Sequence, residues 1–255
     1  MRLALFSLLL TPVAFSQSEA PPVIEAASIK LTDPAIANNG SSFNDDPGRM
    51  TGRNWTLRSY ILIAYDLRPY QLTGATGWMD SDHYDIGATL EPSHDAAGDA
   101  ASRKKAESAR VRRALQQLLT DRFHLVLSKG SKTVPGYALL ATKSGIKATS
   151  VEPGSGPSRS WNNTHLTAKR CSMDCMIGFL SAQFNQPVAN LTQIDGYYDF
   201  ALDWTPDDAR SRSNSDSQAP SIFTALQEQL GLRVEPRKIP VDVYVIDHAE
   251  HPTEN

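Results

Sequence analysis

Along residues 110–119 (RVRRALQQLL) the apolar positions Val111, Leu115, Leu118 and Leu119 recur at the spacing of one helical face. FHLVLS (123–128) then alternates as a strand does. YALLAT (137–142), reached through a loop with Gly130 and Pro135, reads as its hairpin partner. The same pattern returns later in the chain. IFTALQEQL (222–230) sets Ile222, Leu226 and Leu230 in line, with Ser221 as the expected N-cap and Gly231 as the stop. LRVEPRK and VDVYVID (241–247) follow as two strands, the second entered through Ile239-Pro240 as its counterpart is through Val134-Pro135.

The upstream flanks repeat as well. Residues 51–66 (TGRNWTLRSYILIAYD) align with 167–182 (TAKRCSMDCMIGFLSA), which places Thr56 and Ser172 at one N-cap position and Leu57 and Met173 at the first core contact. Each helix leads to a short strand, QLTG (71–74) or VANLT (188–192), and then to a Tyr-Asp-apolar strand, YDIGATL (84–90) or YDFALDW (198–204). VIEAASIKL (23–31) adds an opening strand. The expected architecture is therefore α+β, two tandem duplicated units, each a small mainly antiparallel sheet with two helices packed on it.

Three polar stretches, 34–49, 144–163 and 205–220, read as irregular. The expected organisation is a first unit over 17–143, a linker at 144–163 and a second unit over 164–255, whose loop 205–220 is expected to be disordered. Residues 1–16 (MRLALFSLLLTPVAFS) join Arg2 to an apolar run and small residues, the pattern of a secretory signal peptide, and the run is too short to span a bilayer. A secreted or periplasmic location follows as an expectation.

With 40% hydrophobic and 21% charged residues the chain can bury a core. The formal charge is −3, and removal of Arg2 with the leader would leave −4. That acidity argues against nucleic acid as a partner. Cys171 and Cys175 are too few for a zinc site and would enter an oxidising compartment, either bridged or as two thiols.

Candidate chemistry gathers in the first unit. His83 and Asp85 enter a strand beside Asp80 and Asp82, a possible acid/base cluster or a polar turn. Tyr70 and Trp78, around TGATGW (73–78), are candidates to line a ligand cleft or to pack the core. Asp247, His248 and His251 lack a nucleophile in an elbow context and read as exposed polar residues. Arg103, Lys104, Lys105, Arg110, Arg112 and Arg113 form a basic run that reads as a solvated helix face or an anion-docking face.

The stretches VIEAASIKL, TLRSYILIAYDLRPYQLTGATGWMDSDHYDI, LLTDRFHLVL, IDGYYDFALDWTPD and PSIFTALQEQLGLRVEPRKIPVDVYVIDHAEHPTEN resemble an uncharacterised secreted family expanded in acidobacterial genomes. The resemblance implies a chain that stands alone behind a signal peptide, or in relatives follows a membrane metallopeptidase of the beta-lactam-sensor type. No catalytic residues carry over from it, since the family has none established. Each unit more loosely resembles the short N-terminal domain of secretins and TonB-dependent transducers, which works by protein contact. Here IEAASIKL stands for the commoner FEVASIKP, and Asn190-Leu191-Thr192 occupies the place of Asp-Lys-Thr-Gly.

The expected function is an exported non-enzymatic binding, sensing or protein-interaction module of the bacterial envelope, without cofactor or metal. Its partner would be an envelope protein or a small ligand, met through Tyr70, Trp78, His83 and Asp85 or through exposed sheet edges. The rival is a periplasmic hydrolase using His83 with Asp82 or Asp85, and a passive scaffold is the third reading.

Overall fold

The computed structural model describes residues 22–33, 35, 40–92, 99–154, 158–206 and 220–252. The leader call on 1–16 and most of the 205–220 loop call lie outside the described residues. The elements are β1 Ile24–Leu31, β2 Ser42–Asp46, β3 Arg49–Thr56, α1 Leu57–Ala64, a 3-10 turn Pro69–Gln71, β4 Leu72–Thr73, α2 Trp78–Ser81, β5 His83–Leu90, α3 Ala100–Phe123 and β6 Val126–Ala141. They continue with β7 Thr149–Val151, β8 Ser158–Trp161, β9 His165–Cys171, α4 Met173–Phe184, β10 Val188–Asn190, β11 Tyr197–Asp203, α5 Ile222–Leu230 and β12 Leu232–His248.

Local chemistry sets the helix ends. Thr56, Ser172 and Ser221 each accept the backbone N–H three residues on, at 3.2, 3.3 and 3.2 Å, and so satisfy donors that the first turn leaves open. Gly231 closes α5 in the left-handed conformation, and His124 does the same for α3. On α1 the buried positions Leu57, Tyr60, Ile61 and Ala64 follow one helical face.

The fold is α+β and is built on three four-stranded sheets, ordered β1-β5-β3-β2, β10-β6-β12-β4 and β7-β11-β9-β8. The two outer sheets follow the same order of corresponding strands. Between them, β6 and β12 form one long antiparallel ladder from Leu232 opposite Ala141 to His248 opposite Val126. Two hydrophobic cores result. One joins the inner face of β1, β3 and β5 to α1 and α3 and to Ile246 of β12. The other joins β9 and β11 to α4 and α5, with Leu139 of β6 and Leu232 of β12.

This corrects the expected hairpin pairing of the strands. Val126–Ser128 of FHLVLS and Tyr137–Ala141 of YALLAT do not pair with each other but lie on the single strand β6, Phe123 ending α3, and LRVEPRK and VDVYVID likewise merge into β12. The short strand of each half also crosses over: β4 runs parallel to β12, and β10 runs parallel to β6. The prolines that suggested loops are accommodated by strand geometry. Tyr137 sends its N–H outward to Pro187 O at 2.9 Å, so Pro135, two residues before it, directs its nitrogen to the same outer side, away from β12. Pro236 and Pro240 face Tyr137 and Thr133 and share that outward orientation. Stretches read as irregular also carry strands: β2 lies within 34–49, and β7 and β8 lie within 144–163.

Candidate functional site

The turn between β4 and β5 begins with Gly77 at φ 59, a left-handed angle that glycine adopts without strain, and continues as the single turn α2. Trp78 on that turn stacks on the His251 ring at 4.0 Å between centroids and meets the Tyr84 ring edge-on at 6.4 Å. The Tyr84 hydroxyl lies 3.1 Å from His251 Nδ1, and Asp82 stands 3.9 Å from the same nitrogen. Burial, together with the nearby Asp82 charge, pushes the Tyr84 phenol up to about 12. The C-terminal segment is held in place by Glu250, whose N–H donates to Phe123 O at 2.8 Å.

The four residues expected to form one site do not converge. His83 Nδ1 lies 2.9 Å from the carbonyl of Ser81, two residues before it. Asp85 turns its carboxylate to the fold, where Oδ1 accepts from Thr32 Oγ1 at 2.9 Å and from the backbone N–H of Asn54 at 2.8 Å. Tyr70, on the 3-10 turn, reaches Ser181 of α4, and burial raises its phenol. Only Trp78 joins the aromatic cluster, together with His251, which is exposed as the sequence leads one to expect but stacks on the indole. The Asp247, His248 and His251 group also separates: Asp247 accepts from Ser128, His248 pairs with Glu250, and His251 meets Trp78 and Tyr84.

Asp85 has a counterpart that explains its place. Asn54 adopts φ 57 where the β3–β5 register shifts, and Arg170 adopts φ 49 beside the shift in the β9–β11 register. Asp199 of β11 accepts the Arg170 N–H at 2.8 Å and the Lys169 ammonium at 3.1 Å. The Arg170 hydrogen bond, then that of Lys169, holds the Asp199 carboxyl below its ordinary range. In both halves the Asp of the Tyr-Asp strand thus secures a left-handed bulge residue next to a helix start.

The second bulge borders a cleft of about 430 Å³ lined in part by Glu152, Gly154, Ser158, Lys169, Arg170 and Asp199. Nothing in the sequence marked it, because one wall, Val151 to Gly154 with Ser158, comes from the stretch read as a linker and meets Lys169, Arg170 and Asp199 of β9 and β11 only in the fold. Cys171 and Cys175 form a disulfide with Cα atoms 5.4 Å apart, Cys171 lying just before the Ser172 cap and Cys175 in the first turn of α4. Of the basic run, Arg103, Lys104 and Lys105 are exposed on α3, while Arg110 binds Glu107 and the Glu91 carbonyl. Among the described residues no group of three or more His, Cys, Asp or Glu side chains is placed to hold a metal ion, and no helix is long and apolar enough to cross a membrane.

No curated protein and no solved structure gives a match to the chain. A family model does match, over residues 58–249, which run from α1 to just past the end of β12 and so take in the bulge at Arg170 and the whole central ladder. The chain belongs to the family DUF3738, Protein of unknown function.

Proposed function

We propose that this chain is an exported, non-enzymatic binding module of the bacterial envelope, built by duplication of one α+β unit. The reading rests chiefly on the use made of its polar side chains. Asp85 and Asp199, the carboxylates that recur in the two halves, serve the backbone of a bulge, and His83 is turned to a local carbonyl. A carboxylate committed to backbone donors is poorly suited to moving protons on a substrate. Matching outer-sheet orders and matching caps at Thr56 and Ser172 support the duplication. The Cys171–Cys175 disulfide agrees with export to an oxidising compartment, as does the leader-like sequence 1–16.

The test uses purified protein lacking residues 1–16, assayed for bound metal and for turnover of peptide, ester and glycoside panels beside a His83→Ala control. The expected result is no turnover above that control, together with specific capture of an envelope component. Turnover abolished by His83→Ala would replace this reading with a hydrolase.

A further inference from the structure

The Cys171–Cys175 disulfide joins residues 4 apart in sequence and straddles the Ser172 cap of α4. The fold around it does not depend on the bond. The Cys175 N–H donates to Ser172 Oγ at 3.3 Å and the Met176 N–H to Ser172 O at 3.1 Å, so the first turn closes on its own hydrogen bonds. On the other side, Asp199 holds the backbone of Arg170, the residue before Cys171. In the first half Trp55 and Ser59 occupy the matching positions, and the bulge at Asn54 and the cap at Thr56 form there without a cross-link. A bond that closes so short a loop also removes little entropy from the unfolded chain. Stability is therefore a weak reason for two cysteines at this corner.

The two sulfurs sit in unlike surroundings. Cys171 is 1% exposed, enclosed among the side chains of the second core. Cys175 is half-buried at the margin of that core, as the third residue of α4, where the open N–H groups and the helix dipole favour negative charge. The Arg159 guanidinium lies against the same residue, donating to Cys175 O at 3.0 Å. Asp174, the acidic residue of that turn, opposes them only from an exposed position. Partial exposure, a helix start and a guanidinium together make the setting in which a cysteine sulfur reacts as the thiolate, whereas a sulfur enclosed by apolar side chains stays inert.

We propose that Cys175 is a site of thiol–disulfide exchange, with a dithiol as its chemical partner and Cys171 as the resolving cysteine. One thiolate of the dithiol attacks Cys175 Sγ, the reachable sulfur. A mixed disulfide forms there, the Cys171–Cys175 bond breaks, and Cys171 Sγ leaves with the electron pair and takes up a proton. The second thiolate of the dithiol then attacks the partner sulfur of the mixed disulfide, and Cys175 departs as a thiolate at the place where its charge is best held. The chain has gained two electrons and holds two thiols, and the dithiol has become a disulfide. The same steps in reverse restore the bond. This role stands apart from the binding reading above and would survive its failure.

The probes are dithiothreitol and glutathione disulfide, applied to the full chain without denaturant. Opening of the bond is read by mass spectrometry after alkylation and compared with the rate of global unfolding in the same buffer. The proposal expects dithiothreitol to open the bond at least about tenfold faster than the chain unfolds, at a rate proportional to the dithiol, with the reduced protein keeping its circular dichroism. Limiting iodoacetamide should alkylate reduced wild-type protein first at Cys175, located by peptide mapping. Cys171→Ala protein, which keeps Cys175, should take up glutathione from its disulfide at least about tenfold faster than Cys175→Ala protein. Opening only at the unfolding rate, loss of the fold on reduction, first alkylation at Cys171, or equal uptake by the two variants overturns the proposal. The wild-type measurements decide it where a variant fails to fold. Specific capture of an envelope component by protein whose bond opens only on unfolding would remove this site and leave the binding module standing.

Discussion

Val134 and Ile239 are direct cross-strand partners near the middle of the β6–β12 ladder, both are buried, and each stands one residue before a proline. Both stand in an apolar-Pro step, Val134-Pro135 and Ile239-Pro240, and the ladder sets the two steps against each other. On either side the relation is kept: Pro135 faces Lys238 and Pro240 faces Thr133. The ladder is where one half completes the other, because β4 joins β12 and β10 joins β6.

Interlocked halves should unfold together. Trp204 is buried in the second core and Trp55 packs on the first, so fluorine-labelled tryptophan reports both in one urea titration. The two transitions are expected to coincide. Ile239→Ala should lower stability by about 2–3 kcal/mol and move both by the same amount. Two separated midpoints would show that the halves are independent despite the shared ladder.

The bulge carboxylates make a prediction with a defined pH sense. Asp199 titrates below its ordinary 3.8 in the folded protein, so the unfolded chain takes up a proton first as pH falls. Stability from this group is complete above the unfolded value and is lost as pH drops through the folded one. Asp199→Asn should therefore flatten the acid limb of the stability profile from about pH 5 downwards, measured by urea unfolding at a series of pH values. Asp85→Ala, which strips the Asn54 N–H of its acceptor, should cost about 1–3 kcal/mol at neutral pH.

Gly52 is fixed by the ring beside it. A Cβ there would stand 2.5 Å from Tyr60 Cε1 and 2.6 Å from its hydroxyl oxygen, and that hydroxyl donates to Tyr84 O at 2.9 Å. Gly52→Ala should cost about 1–3 kcal/mol by displacing Tyr60. In a Tyr60→Ala background the same change should cost far less, giving a coupling of at least about 1 kcal/mol in a double-mutant cycle. Equal costs in both backgrounds would contradict the contact.

Local signals carried most of the elements. Caps at Thr56, Ser172 and Ser221 and the stop at Gly231 stand where side-chain chemistry places them, since each depends on neighbours three or four residues away. The strand pairing was not legible, because Pro135 and Pro240 signal a break only if their nitrogens face the ladder, and which way they face depends on partners about a hundred residues distant. Tyr-Asp was read as a repeated strand entry, but the task of the Asp emerged only with the bulge at Asn54 or Arg170. His251 was discounted for its position near the end of the sequence, whereas Phe123 O, by accepting from Glu250, brings it back onto Trp78.

That return makes the last prediction. Trp78 is partly buried, and the His251 ring covers it at 4.0 Å, held from the other side by the Tyr84 hydroxyl at 3.1 Å. Removing the imidazole opens the indole face to water and leaves the buried Tyr84 ring with a hydroxyl that has lost its neighbour. His251→Ala should thus shift Trp78 emission to the red and lower stability by about 1 kcal/mol, the order of an aromatic contact with one hydrogen bond. His251→Phe keeps the stack but not the nitrogen, so it should retain the Trp78 emission while recovering only part of the stability. If both variants left Trp78 emission unchanged, the terminal segment would not rest on α2, and the aromatic cluster would reduce to Trp78, Tyr84 and Phe123.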